Sequence, residues 1–349
     1  MAGRVALLVG SILFALGVLE LGCRLWRGPD WLLHWPNLVL QERHGPAERP
    51  DQRFAYDPTL GFVPKLGHAS ASIHYDALGF RRMPALVEAK DQPPVLATGD
   101  SFTHGDEVGD DETWPAYLQA ALGRRTVNAG VTGYGLDQTI LRTEQLAPAL
   151  RPDLIVVGFI ADDVRRSEMS RTWGTEKPYF EPDGDRLRLR NVPVPPASEA
   201  RDTLSFWQRA FGWSVLVDTV LRHKGWQYEW AIDHVRALPR GTGERMACPL
   251  MRRLAALAVP TLVVAQYDFY TWKDAAFAEE QRRISTLVLR CAAEAGLAVL
   301  DLYDATERAV REQGNDAIYR SSHPTPQGNR LVAEAIAAEL GRLHIPPSR

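Results

Sequence analysis

Ser101 sits in the segment Thr98-Gly99-Asp100-Ser101-Phe102-Thr103-His104-Gly105, directly after a short apolar run. A serine on a glycine-flanked turn at the end of a buried strand is presented for attack on a carbonyl, provided a base takes its proton. Histidine titrates in the useful range, and His323 lies in Ser322-His323-Pro324-Thr325-Pro326-Gln327-Gly328-Asn329. Each signal is weak alone. Gly, Asp and Ser are common turn residues, and a histidine at a helix start also serves as a surface or capping residue. The pattern is not the G-x-S-x-G elbow, because Thr103 stands where the second glycine belongs. His104 and Asp106 follow the serine closely. They can shape a pocket, and His104 is an alternative base; its plainer reading is a loop histidine.

The elements that must position these groups alternate in type. Apolar runs ending in turn signals predict strands over 93–99, 126–129, 153–160, 260–266 and 297–302. Helical spacing predicts helices over 113–122, 136–146 (ended by Pro148), 275–295 and 325–343. Strands alternating with helices indicate an α/β domain with a mostly parallel sheet. Ser101 then falls at the carboxyl edge of the first strand, where open α/β sheets bind ligands. Residues 165–248 interrupt the rhythm. Glu181-Pro182-Asp183-Gly184-Asp185 is a turn with charged alternating flanks, which predicts a hairpin. Residues 192–196, VPVPP, read as a stiff linker. Residues 204–230 hold seven aromatics, including Phe206, Trp207 and Trp226. They predict an inserted helical cap, or an aromatic stripe packed on the main domain.

Residues 5–26 form an apolar stretch of 22 residues, about 33 Å as a helix and enough to cross a bilayer core of about 30 Å. Glu20 and Arg24 lie near its end, and Trp26, Trp31 and Trp35 follow as an interfacial belt would. The expectation is a retained single-pass anchor. The competing reading is a cleaved signal, with Ala15-Leu16-Gly17 or Leu21-Gly22-Cys23 as cleavage patterns. The formal net charge is -3 with no long basic run, which argues against a nucleic-acid partner. Three cysteines are too few for a disulfide framework. Cys248 and Cys291 can pair in an oxidising compartment. No CxxC or HExxH pattern suggests a metal.

Four ordered blocks resemble the SGNH/GDSL hydrolase family, in a membrane-anchored form. Gly99-Asp100-Ser101 is similar to its first block and Asn128-Ala129-Gly130-Val131-Thr132-Gly133 to its second. Ala161-Asp162-Asp163-Val164 is similar to the third, and His323-Pro324 followed by Gly328 to the last. Tyr56 to Gly61 and Tyr75 to Arg81 resemble a pre-domain of membrane-attached members. The resemblance implies a flavodoxin-like three-layer sandwich, with an N-terminal transmembrane helix and an inserted helical and hairpin region. The layout it suggests is an anchor over 1–27, a linker and pre-domain over 28–92, and the hydrolase domain over 93–349 with an insertion at 165–248.

It also implies Ser101 as nucleophile, His323 as general base, and an oxyanion site from the N–H groups of Ser101 and Gly133 with Asp162. Two departures stand out. Asp162 occupies the family's Asn position, and an ionised carboxylate only accepts hydrogen bonds. The family's acid, two or three residues before the histidine, is replaced by Ser321 and Arg320. Ser321, a backbone carbonyl or Asp316 is then left to orient His323. The expected activity is ester hydrolysis or acyl transfer without cofactor or metal. The expected partners are an acylated small molecule or polysaccharide and the membrane, with the catalytic domain extracytoplasmic. The alternative is a catalytically degenerate module that binds acylated glycan or a partner protein.

Overall fold

The computed structural model describes residues 2–39, 53–86, 92–172, 175–184, 186–196, 204–224, 226, 230 and 242–345. Two compact units divide the chain. The first comprises Met1–Pro50, Met169–Glu176 and Pro195–Pro239; the second comprises Asp51–Glu168, Lys177–Val194 and Arg240–Arg349.

The second unit holds a hairpin of β1 (Phe54–Asp57) and β2 (Gly61–Pro64), followed by β3 (Val95–Thr98), α2 (Ser101–His104), α3 (Trp114–Leu122), β4 (Thr126–Asn128), α4 (Leu136–Leu150), β5 (Leu154–Phe159) and α5 (Ala161–Arg166). After a second hairpin, β6 (Tyr179–Asp183) with β7 (Arg186–Arg190), come α8 (Thr242–Ala255), β8 (Thr261–Ala265), α9 (Ala275–Glu294), β9 (Ala298–Asp301), α10 (Tyr303–Gln313), α11 (Asn315–Ile318) and α12 (Pro326–Arg342). The first unit contributes α1 (Ala2–Arg27), α6 (Phe206–Phe211) and α7 (Val215–His223).

Five strands form one sheet in the order β9-β8-β5-β3-β4, and every pairing is parallel. Numbered along the sheet's own chain order this is 2-1-3-4-5, the flavodoxin-like arrangement, whose switch point lies between β3 and β5. Successive side chains of a strand point to opposite faces, and the sequence supplies apolar residues to both. Leu96, Ile155, Val157 and Val263 pack against Ile140 of α4, Leu250 of α8 and Val288 of α9. Val95, Ala97, Val156 and Leu262 pack against Trp114 of α3 and Ile336 of α12. The fold is therefore the three-layer α/β sandwich expected. Each fully buried Val, Leu or Ile contributes about 1.5–3 kcal/mol by leaving water.

Pro148 does not end its helix. α4 continues to Leu150, with Ala147 buried, because a proline in the last turn forfeits only one late amide bond. The stop comes at Arg151, in the left-handed region with φ 47° and immediately before Pro152. The expected hairpin is present, with Glu181 opposite Arg188, although Asp185 of its turn lies outside the described residues. It follows Lys177, whose buried ammonium donates to Asp137 of α4 at 2.6 Å. Helices α10 and α11, not anticipated from the sequence, fill the chain between β9 and His323. Cys248 of α8 and Cys291 of α9 form a disulfide. Parts of the aromatic stretch 204–230 lie outside the described residues; the described part forms α6 and α7 as helices, in the unit that contains α1.

Candidate active site

β3 delivers the serine. Gly99 follows it where a side chain would not fit: an added Cβ would lie 2.6 Å from the Gly158 carbonyl oxygen and closer still to the Thr103 side chain. Asp100 then caps α2 by accepting from the Phe102 amide at 2.9 Å. This leaves Ser101 at the first position of the helix, 5% exposed. Its Oγ is 2.9 Å from His323 Nε2 and 3.3 Å from Asp100 Oδ2. The shorter contact favours donation to the imidazole.

His323 is held from both sides in sequence. Arg320 and His323 pair across a tight antiparallel turn, with Ser321 at φ 54°. The Tyr319 hydroxyl donates to the Tyr267 carbonyl at 2.6 Å. Thr325 starts α12 by accepting from the Gly328 amide. The Phe102 ring lies against the imidazole at 5.5 Å between centroids.

The Nδ1 side of His323 differs from the sequence expectation. Ser321 and Asp316 are exposed, and neither is bonded to His323 among the described residues. Glu107 is there instead, its Oε1 3.3 Å from Nδ1, with Ser322 Oγ at 3.4 Å. Glu107 adopts φ 70° without being glycine, which turns its side chain out of the loop after α2. Its distance of 216 residues from His323 leaves no local sequence signal that could have revealed the pairing.

The second-block loop is fastened against α2. Asn128 Nδ2 donates to the Thr103 carbonyl at 3.0 Å and its Oδ1 accepts from the Gly130 amide at 3.1 Å. A Cβ on Gly130 would fall within 2.9 Å of the backbone of Thr103 and His104, so only glycine permits this approach. Val131 N–H donates to the Gly99 carbonyl. Neither the Ser101 nor the Gly133 amide donates to a protein acceptor among the described residues.

His104 is buried with both ring nitrogens engaged. Nδ1 meets Asp106 Oδ1 at 2.5 Å and Nε2 meets the Tyr75 hydroxyl at 2.8 Å. Burial lowers its affinity for a proton. A neutral ring donating to Asp106 and accepting from Tyr75 satisfies all the partners, so His104 has no free nitrogen with which to serve Ser101. Asp106 also accepts from Thr132 Oγ1 at 2.8 Å, beside Gly133. Burial opposes its ionisation, but the hydrogen bond and nearby positive groups hold it below the usual carboxylate range.

Asp162 and Asp163 lie at the start of α5. Asp162 is ion-paired with Arg165 and with Arg166, the latter at 2.6 Å. Asp163 is buried, caps the helix through the Ile160 amide at 3.1 Å, and meets Arg166 at 2.7 Å. Arg166 also lies 3.6 Å from Asp100. Burial raises the pKa of Asp100. Burial, then the neighbouring Asp100 charge, raise that of Asp163 well above the usual range. Two buried carboxylates facing one guanidinium do not both ionise freely.

These features put a serine, a histidine, a carboxylate and two available amides at the carboxyl edge of the sheet, around its switch point. That constellation can run acyl transfer. Solved structures similar to this chain include LAE5, an alpha/beta hydrolase enzyme from the metagenome of Lake Arreo, Spain, at 16% identity and TM-score 0.43, covering 74% of this chain and 98% of that one. Another is Axe2, an acetylxylan esterase from Geobacillus stearothermophilus, at 15% identity and TM-score 0.44, covering 74% and 97%. No curated protein sequence matches. The GDSL-like Lipase/Acylhydrolase family matches residues 97–331, a span that contains Ser101, Glu107, Gly133, Asp162 and His323, and the chain belongs to that family of ester hydrolases.

Proposed function

We propose that the chain is a serine esterase in which Ser101 is the nucleophile, His323 its general base, and Glu107 the carboxylate that orients the histidine. The observation that carries this reading is the 2.9 Å contact from Ser101 Oγ to His323 Nε2, with a carboxylate at the other ring nitrogen. Nε2 takes the hydroxyl proton as Oγ bonds to the ester carbonyl carbon. The carbonyl oxygen gains the electron pair and is received by the amides of Ser101 and Gly133. Collapse breaks the bond to the alcohol, which leaves with the proton from His323. A hydroxyl from water or a sugar then gives its proton to His323 and attacks the acyl carbon. Ser101 is restored, and the product is a carboxylic acid or a new ester. Asp162 takes no donor role here, because its two arginine partners support an ionised carboxylate that only accepts.

The substrate we infer is an O-acyl ester on a cell-envelope or exported carbohydrate. We read α1 as a retained anchor with the catalytic unit outside the cytoplasm. The disulfide between Cys248 and Cys291 supports that side, since such bonds persist in oxidising compartments.

The test is fluorophosphonate labelling of the detergent-solubilised full chain. Native protein should label, and Ser101→Ala and His323→Ala should not. Folded native protein that stays unlabelled would replace this reading with a non-catalytic module binding acylated glycan or a partner protein.

A further inference from the structure

Helix α1 runs into a polar latch at its C-terminal end. Arg24 is 2% exposed although it belongs to an apolar helix. Its guanidinium bonds Glu20 at 2.7 Å, the carbonyls of Trp31 and His34 at 2.9 and 2.6 Å, and the carbonyl of Trp213 at 3.0 Å. Glu20 in turn caps α7, accepting from the Val215 and Leu216 amides at 2.9 Å each and from Ser214 Oγ at 2.7 Å. Arg27 pairs with Asp218 of α7 at 2.5 Å. A helix N-terminus attracts a carboxylate, and here the carboxylate comes from a segment almost two hundred residues away. The end of α1 and the aromatic insert are thus one packed body.

The rest of α1 is bare. Gly3–Arg27 is long and apolar enough to cross a membrane, and none of its most apolar stretch is buried. From Gly3 to Leu19, before the latch begins, the helix spans about 26 Å, close to the lower limit for crossing a bilayer core. Glu20 therefore marks the level at which the chain leaves hydrocarbon. The unit that contains α1 exposes large apolar side chains: Trp26, Leu33 (87%), Trp35, Phe206, Trp207 (61%) and Trp226. Trp207 contacts Phe206 and Phe211 ring to ring, and the Arg24 guanidinium lies 4.0 Å over Trp35. Aromatic rings at the end of a spanning helix prefer the headgroup boundary.

We propose that α6, α7 and the segment after α1 form an aromatic collar that sits in the phospholipid headgroup boundary and fixes the depth of the helix. The insert is then a membrane seat, and its occupant is the lipid bilayer. Continuity with the bare helix favours lipid over a second protein. The collar rests on the reading of α1 as a retained anchor, and is independent of the esterase assignment.

The experiment uses the full chain in nanodiscs of zwitterionic and anionic phospholipid. A spin label is placed by Trp207→Cys or Leu33→Cys in a Cys23→Ser background, with Glu294→Cys on exposed α9 as the water reference. Both collar labels should show an oxygen-to-nickel-chelate accessibility ratio several-fold above the reference, at a depth about 5–10 Å below the phosphates. Labels as nickel-accessible as the reference would overturn the collar. So would labels shielded from both reagents at several copies per disc but nickel-accessible at one copy, which would identify a second copy of the chain as the occupant. The anchor is checked separately by intact mass of protein taken from membranes. A chain starting after Gly17 or at Cys23 would remove the anchor reading itself, and one retaining α1 with water-exposed labels would refute the collar alone.

Discussion

Replacing Glu107 tests the most specific feature of the site. If its carboxylate stabilises the imidazolium formed during acyl transfer, the energy follows from the 3.3 Å separation. Coulomb attraction at that distance is about 1.3 kcal/mol at the dielectric of water and about 5 kcal/mol at an effective dielectric of about 20. The Glu107 side chain is 33% exposed, so solvent screening places the effect in the lower part of that range, about 1–3 kcal/mol. The corresponding loss in kcat/KM is about 5- to 150-fold. It should be smaller than the roughly 10⁴-fold cost of neutralising a buried triad acid. Glu107→Gln keeps an acceptor for Nδ1–H and removes the charge; Glu107→Ala removes both. The gap between native and Gln reports charge, and the gap between Gln and Ala reports orientation.

The assay is hydrolysis of a short p-nitrophenyl ester, normalised to the fraction of serine labelled by fluorophosphonate. Raising salt to 1 M shortens the screening length to about 3 Å and should bring the native rate toward that of Glu107→Gln. Ser321→Ala and Asp316→Ala should be silent. A Glu107→Ala enzyme within twofold of native at low salt would refute the assignment. If Ser322→Ala were then the damaging change, orientation of His323 would pass to Ser322.

If an ionised Asp162 faces the developing oxyanion, Asp162→Asn should raise turnover at neutral pH, because Asn donates where a carboxylate only accepts; unchanged kcat would put residue 162 outside the oxyanion site. Asp163 binds its proton more tightly folded than unfolded, so stability falls as pH rises from the ordinary carboxylate range to its raised pKa. Denaturation of Asp163→Asn across that window should show a flatter pH dependence than the native chain, and an equal slope would refute the shift. Reducing the disulfide, which closes a separation of 43 residues, should cost up to about 4 kcal/mol in denaturant unfolding. An unchanged midpoint in reductant would contradict it. Arg81→Lys combined with Glu107→Gln should give non-additive losses in kcat/KM, with a coupling of about 0.5–3 kcal/mol; simple additivity would separate Arg81 from the acid.

The sheet was legible because its strands are short apolar runs closed by turn residues, and burial on both faces demands that pattern. Ser101 and His323 stood out in the sequence because one follows a glycine turn at the end of a strand and the other lies just before the cap of the terminal helix. The partner of His323 was not, because Glu107 reaches it through a left-handed loop residue rather than through neighbouring sequence. The stop of α4 was misplaced because Pro148 is a stronger signal on paper than in a helix's last turn. The described part of the aromatic insert is helical over Phe206–Phe211 and Val215–His223, as its spacing predicts. Its packing partner did not show, since Glu20 and Ser214 share no local pattern and meet only in three dimensions.

The missing acid and the N-terminal segment around Tyr75 and Arg81 belong to one arrangement. The loop from His104 to Val108 carries Glu107 and Asp106, and the segment 75–81 grips that loop. Arg81, fully buried, donates to the carbonyls of His104, Gly105 and Val108 at 3.3, 3.2 and 2.8 Å. It is itself tied to Asp110 at 2.5 Å. Tyr75 bonds His104, which holds Asp106, which holds Thr132 beside Gly133. A histidine whose acid lies on its own turn needs no such bracing, because one short hairpin fixes both. Here the acid sits on the nucleophile's loop with a positive φ, a conformation that a free loop would not keep. Moving the carboxylate to that loop therefore makes the segment 75–81 part of what holds the catalytic geometry, and links the oxyanion loop to the same support.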